Sequence, residues 1–173
     1  MKRTILLLLS ILIFGFTAIA GNNSYELRSN HSFSSTILGF EYSYEGRIAD
    51  RWTLIGRAGF VPTSFYIKST QINTTFSGNM ALGLSFEARW YSNIAKRAEQ
   101  GKSTYNNSSD FISMRLRANT ADGFDISFTP AYGIRRSFRK LWFHEFTIGP
   151  KFGLASDNYF IGAHVQYRIG ITF

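Results

Sequence analysis

Two short motifs and three histidines are the residues whose types could support chemistry. Residues 101–104 read GKST, like the end of a phosphate-binding loop, and residues 137–140 read SFRK, the Ser-x-x-Lys of acylating enzymes. The first glycine of a phosphate loop is missing, because Lys96 occupies its position, and the companion motifs of the acylating enzymes are absent. We therefore expect neither nucleotide binding nor acyl transfer at these motifs.

The three histidines are His31, His144 and His164. A hydrolytic site needs a nucleophile, a histidine base and an orienting carboxylate within reach of one another. The pattern places His31 in a loop, His144 on an apolar strand face, and His164 on a polar face near Glu145 of the preceding strand. A histidine held by a carboxylate is more often structural than catalytic, and three histidines without cysteine disfavour a metal site. We expect no catalytic, cofactor-binding or metal-binding residues.

The segment YFIGAHVQYRIGITF, residues 159–173, shows which elements carry these side chains. Alternate residues from Tyr159 to Phe173 are apolar or aromatic, and those between them are mostly polar or very small. A period of two predicts one long strand with two different faces.

The same alternation recurs along the chain. The predicted strands cover residues 24–29, 37–48, 51–60, 79–91, 111–118, 126–135, 142–153 and 159–173. The first is included because a single-chain bacterial barrel has an even number of strands. The end of the barrel that holds both termini is expected to carry tight turns at 49–50 and 136–140 and a long connection from Ser92 to Asp110. The other end is expected to carry a loop at 62–75. The pattern predicts an all-β, antiparallel up-and-down barrel of eight strands.

The beginning of the chain is typical of an export signal. Lys2 and Arg3 precede a short apolar run, and Ala18-Ile19-Ala20 has the small residues of a cleavage site. We expect a signal peptide at residues 1–20 and one barrel domain at 21–173. Its removal lowers the formal charge from +8 to +6, and the basic residues are scattered without a nucleic-acid motif, so we expect no nucleic-acid partner.

The content of the two faces predicts which solvent each one meets. The polar face carries small residues between arginines and glutamates, as a side-chain-filled lumen requires. Trp52, Trp90, Trp142 and Phe173 fall at one rim, like an aromatic girdle. The apolar face is therefore expected to meet lipid; the alternative is a soluble barrel of the lipocalin kind, with its apolar face inward. The predicted lumen charges are Arg28, Arg57, Arg89, Arg115, Arg117, Arg135, Lys151 and Arg168 against Glu26, Glu41, Glu45, Glu87 and Glu145.

Two blocks resemble small uncharacterised eight-stranded outer-membrane barrels of Gram-negative bacteria, of the domain-of-unknown-function type. They are YSYEGRIADRWTLIGRAGF and FEARWYSNIAKRAEQGKSTYNNSSDFISMRL. In the second, an Arg-aromatic pair leads to an asparagine, a basic cluster, a Gly-Lys and an Asn-Asn-Ser before the next strand. The resemblance implies an outer-membrane barrel and no established activity. Its residues here are Arg89, Trp90, Tyr91, Asn93, Lys96, Arg97, Gly101, Lys102, Asn106, Asn107 and Ser108.

The function expected is that of a porin-like but side-chain-filled barrel in the cell outer membrane, with a structural or interaction role and no enzymatic activity. The alternatives are a narrow anion-preferring pore, suggested by the excess of arginine, and a lipid-modifying enzyme acting at the rim through His164. Expected partners are outer-membrane lipids, the barrel-assembly machinery through the last strand ending in Phe173, and periplasmic or cell-wall polymer at the Ser92 to Asp110 loop. We expect a monomer.

Overall fold

The computed structural model describes residues 27–36, 39–69, 74–119, 125–155 and 158–173. The expected signal peptide at residues 1–20 and the beginning of the first predicted strand lie outside the described residues.

Eight strands pair in chain order, and the last pairs with the first, so that the sheet closes into an antiparallel up-and-down barrel. The predicted fold is confirmed. The strands are β1 (Asn30–Thr36), β2 (Gly39–Ala49), β3 (Trp52–Ser69), β4 (Thr74–Tyr91), β5 (Asp110–Asn119), β6 (Asp125–Phe138), β7 (Trp142–Ala155) and β8 (Asn158–Thr172). A short helix, α1 (Ile94–Glu99), and a 3₁₀ turn (Tyr105–Asn107) lie between β4 and β5. No helix in the described part of the chain is long and apolar enough to cross a membrane.

Two predictions about the strands were wrong: the position of the first strand and the loop at 62–75. The first strand is Asn30–Thr36 and not residues 24–29, because Leu27 to Ser29 lie before β1. Its sequence, NHSFSST, has serines on both faces and only one large apolar side chain, so the alternation is weak. The predicted loop at 62–75 is instead a continuation of β3 to Ser69 and of β4 from Thr74, with a register shift between Pro62 and Ser64.

The connections divide the barrel into two ends, as predicted. The terminal end holds the segment before β1, Phe173, and the connections β2–β3, β4–β5 and β6–β7. The distal end holds the opposite ends of the eight strands. The long connection 92–109 lies at the terminal end. There Tyr91, the last residue of β4, pairs with Phe111, the second residue of β5.

The two faces of the wall differ as the alternation predicts. On the outer face Phe86 is 67% exposed, whereas its neighbour Glu87 on the lumen face is fully buried. The apolar face of the described wall therefore points outward and the charged face inward. The exposed apolar side chains of the outer face include Phe40, Leu54, Phe60, Leu82, Leu84, Phe86, Met114, Leu116, Ile148, Ile161 and Val165.

Glycines on the lumen face permit close contact between neighbouring strands. A Cβ added to Gly59 would lie 2.1 Å from the carbonyl oxygen of Phe40, and one added to Gly149 would lie 2.1 Å from that of Pro130. Each contact is with backbone, which cannot move aside as a flexible side chain can. These positions therefore require glycine for the wall to curve this tightly.

The two prolines of β6 and β7 face each other. Phe128 pairs with Phe152 and Tyr132 with Ile148 in one register, which sets Pro130 opposite Pro150, and the ladder is interrupted between these pairs. Both prolines keep their partners on the other side, in β5 and β8. Each proline therefore lacks its N–H on the side that faces the other proline. A single interruption of the ladder accommodates both prolines.

Candidate functional site

A network of buried ion pairs fills the lumen, and Glu87 is one of its centres. Its Oε1 accepts a hydrogen bond from Arg89 Nε at 2.5 Å, and its Oε2 accepts one from Arg115 Nε at 2.7 Å and another from Arg57. Glu87 lies on β4 between β3 and β5, which carry Arg57 and Arg115. One carboxylate thus accepts hydrogen bonds from guanidinium groups of three adjacent strands.

Glu145 is the second centre, and it links opposite walls of the barrel. Arg89 binds it in bidentate fashion, with both N–O distances 2.7 Å. Arg168 of the neighbouring strand also donates to Glu145, and Arg135 Nη1 lies 3.8 Å from its Oε2. Because Arg89 belongs to β4 and Glu145 to β7, this pair crosses the lumen.

Glu41 and Glu45 complete the network on β2. Glu41 accepts hydrogen bonds from Arg117 Nη2 at 2.5 Å and Arg168 Nε at 2.9 Å. Glu45 accepts hydrogen bonds from Arg135 at 3.2 Å, Thr53 at 2.8 Å and Tyr91 at 2.5 Å.

Burial makes this network tight and energetically demanding. The side chains of Glu87 and Arg89 are fully buried, and that of Arg115 is 3% exposed. Arg89 also lies over the ring of Phe111, 3.9 Å from its centre, and Arg135 lies 4.1 Å from the ring centre of Phe143. Isolated buried charges cost several kcal/mol each, so a network of this kind is stable only when the partners are all present. In the described residues, the terminal half of the lumen is closed by these side chains.

The arginines and glutamates predicted for the lumen are found there, with one exception among the described residues. Arg28 is exposed and lies outside the barrel, with its guanidinium 5.9 Å from the ring centre of Tyr105. The prediction was wrong because residues 24–29 are not the first strand. Glu26 lies outside the described residues. Lys151 faces the lumen as predicted, and its ammonium lies 5.2 Å from the ring centre of Phe160.

The histidines do not form a catalytic arrangement. His164 faces the lumen, but its Nε2 is hydrogen-bonded to Thr147 Oγ1 at 3.1 Å. It pairs with Gly149, so Glu145 lies four residues along β7, roughly 13 Å away at the rise of a strand. The expected His164–Glu145 contact is therefore wrong.

The other two histidines lie on the outer face. His144 packs against the rings of Phe138 and Tyr167, as expected for an apolar face. His31 is in β1 and not in a loop, and its Nδ1 is hydrogen-bonded to the Tyr42 hydroxyl at 2.6 Å. No group of three potential metal ligands occurs among the described residues.

The connection at residues 92–109 closes the terminal end, and we call it the plug. Ile94, from α1, is fully buried against Tyr91 and Phe111 at the ends of β4 and β5, together with Leu27. Tyr91 and Phe111 project to the lumen side of the wall, where most other residues are polar. These apolar side chains form a small core beneath the ion-pair network.

Hydrogen bonds from the Asn-Asn-Ser segment fasten the plug to the barrel. Asn107 accepts from the backbone N of Arg28 and donates to its carbonyl, both at 2.9 Å. Asn106 donates to the carbonyl of Lys140 at 2.8 Å, and Ser108 donates to that of Arg135 at 3.4 Å. Both asparagines have positive φ, 51° and 60°, a conformation that asparagine tolerates better than most residues.

Arg97 holds the two halves of the plug together. From α1 it donates to the carbonyl oxygens of Ser108 and Ser103, both at 3.0 Å. Partial burial and the nearby charge of Arg136 lower the pKa of Arg97 from its usual value. The Ser92 to Asp110 segment was expected only as a long connection that contacts periplasmic or cell-wall polymer. The aromatic residues at lumen positions on both of its flanks were the signal for a closed end.

Aromatic side chains surround the terminal end on the outer face, as predicted. Trp52 pairs with Trp90 across β3 and β4, and Trp142 begins β7, with the ring of Phe138 stacked on it. Phe173 follows β8 and stacks with His31.

No protein-family model matches this chain, and neither a curated protein nor a solved structure matches it.

Proposed function

We propose that this protein is an integral outer-membrane barrel with a structural or interaction role. The observation that carries the proposal is the exposure of the outer face. Large apolar side chains there, such as Phe86, Leu116 and Ile161, are more than half exposed, whereas the interior that they surround is charged and buried. Lipid is the solvent that stabilises such a face, and a closed sheet is one of two structures a bilayer accepts. The signal peptide expected from the sequence agrees with export.

A structural role fits the filled lumen better than transport does. Arg89 and Glu87 are fully buried, and below them Tyr91, Phe111 and the plug occupy the terminal end. An eight-stranded barrel has room in its interior only for side chains or one small ligand. The narrow anion pore is the weaker proposal, since an ion would have to displace this network to pass.

Catalysis is not part of the proposal. His164 is hydrogen-bonded to a threonine, and Glu145, the carboxylate expected to orient it, lies four positions along β7 and is bound by arginines. The rim enzyme thus has no base, nucleophile and carboxylate in one place among the described residues.

The terminal end supports an interaction with anionic groups. Lys96 and Lys102 of the plug and Arg139 and Lys140 of the adjacent turn are exposed. In the proposed orientation this end meets the periplasm, where inner-leaflet phosphates or cell-wall polymer are the anionic partners for a monomeric barrel.

Single-channel recording in planar lipid bilayers tests the proposal. We expect insertion of the purified barrel without a stable conductance, because the network and the plug block the lumen. A large, steady conductance that Arg115→Glu alters in ion selectivity would replace the structural role with the pore.

A further inference from the structure

The distal half of the lumen combines small side chains with one large ring, that of Phe160. Gly153 and Gly162 face the lumen near the distal ends of β7 and β8, and the Phe160 ring covers Gly153, since a Cβ added there would lie 2.2 Å from it. Gly162 is exposed, and a Cβ added to it would meet no atom within 4 Å. The distal lumen is therefore a cup with free space beside Gly162, bounded by the Phe160 ring over Gly153, and its floor is the ion-pair network.

Hydrogen-bond donors line this cup in two adjacent rows. Arg117 pairs with Ser127, and Ser127 pairs with Gly153; Arg115 pairs with Thr129 in the row below. Arg117 Nε, Arg115 Nη2 and the Ser127 hydroxyl are buried and have no hydrogen-bond partner among the described residues. The Arg115 side chain is 3% exposed and Ser127 is 1% exposed. Buried donors without partners are uncommon, and an acceptor such as a water molecule or an ion is expected beside them.

The charge balance indicates that this acceptor is an anion. The ion-paired network holds six arginines and four glutamates in the described residues, an excess of two positive charges. Lys151, on the strand next to Ser127, adds one more cation on the distal side, and Asp125 adds one carboxylate near the mouth. Excess positive charge inside a protein wall attracts counter-ions to the cavity that it faces.

The geometry points to a blind binding cup for a phosphate group, held by Arg117, Arg115, Ser127 and Lys151. A phosphate carries up to two negative charges and accepts several hydrogen bonds, which matches two guanidinium donors, a hydroxyl and an ammonium. The group could come from a free phosphate compound or from a lipid headgroup that bends into the mouth. This site does not depend on the membrane location, because it rests on the lumen alone.

Calorimetric titration of the folded barrel in detergent micelles tests the cup. Three probes distinguish the source: inorganic phosphate, glucose 1-phosphate, and phosphatidic acid carried in the micelles, each against chloride at equal ionic strength. We expect saturable binding of at least one phosphate probe; tighter binding of phosphatidic acid assigns a lipid headgroup, and tighter binding of the soluble probes assigns a free phosphate compound.

Variants show whether binding occurs in the cup. Lys151→Gln and Ser127→Ala lie outside the ion pairs and are expected to fold; we expect the first to weaken binding about tenfold and the second severalfold. The matched control is Arg51→Gln, an exposed cation in the β2–β3 turn that belongs to neither proposed binding surface, with less than a twofold effect. Absence of saturable binding of all three probes, or equal binding by the wild type and Lys151→Gln, would overturn the proposal.

Discussion

Replacement of Glu87 by glutamine tests the ion-pair network most sharply. The substitution keeps the size of the side chain and one acceptor oxygen, but it removes the charge that Arg57, Arg89 and Arg115 share. Arg89 retains its bidentate pair with Glu145, whereas Arg57 loses the carboxylate to which it is hydrogen-bonded.

The magnitude follows from burial. Glu87 is fully buried and Arg57 is 5% exposed on its side chain, so water cannot replace the lost partner. Removing one partner of a buried pair costs about 3–5 kcal/mol. We expect Glu87→Gln to lower the free energy of unfolding by about that amount, measured by urea titration in lipid vesicles with tryptophan fluorescence as the signal.

The control is the same substitution on the surface. Glu99→Gln removes a carboxylate from the exposed end of α1 and is expected to change stability by less than about 0.5 kcal/mol. A second variant, Glu87→Gln with Arg57→Met, removes the stranded guanidinium and is expected to recover at least about 1 kcal/mol of the loss. If Glu87→Gln were as stable as Glu99→Gln, the network would not be a stabilising element of the barrel.

Four further substitutions test the wall and the plug. Asn107→Ala removes two backbone hydrogen bonds and strains a positive φ, so we expect faster proteolysis of the plug while the strands remain intact. Gly59→Ala is expected to cost about 1–3 kcal/mol of unfolding free energy by overpacking, whereas Gly162→Ala is expected to be neutral. Pro150→Ala supplies an N–H directed at Pro130, and amide hydrogen exchange is expected to show a newly protected amide there; an unprotected amide would mean that the strands are apart.

The strands and their faces could be predicted from the sequence because strand geometry repeats every two residues. The alternation from Tyr159 to Phe173 identifies both the element and its buried side without knowledge of the partner strands. The register also follows in part, since a slip of one residue would turn Arg168 outward. The first strand was missed because this alternation is weak in it: the two faces of NHSFSST differ too little in polarity.

The contacts inside the lumen could not be predicted, because they join strands that are far apart in sequence. Arg89 and Glu145 meet across the barrel, 56 residues apart. His164 and Glu145 were expected to be in contact because they lie on neighbouring strands. The register of these strands separates them by four positions. The plug depends on cooperation between Asn107 and the segment before β1, which no local pattern reveals.

The central claim is that hydrocarbon surrounds the outer face of the barrel. Its most direct test is tryptophan quenching in vesicles whose lipids carry bromine in the middle of the acyl chains. The reporter is Leu116→Trp, at an outer-face position that is 54% exposed, in a background with the natural tryptophans replaced by phenylalanine. We predict strong quenching by the brominated lipid and little by aqueous acrylamide. Strong quenching by acrylamide without an effect of bromine would show that water surrounds this face and would contradict the account.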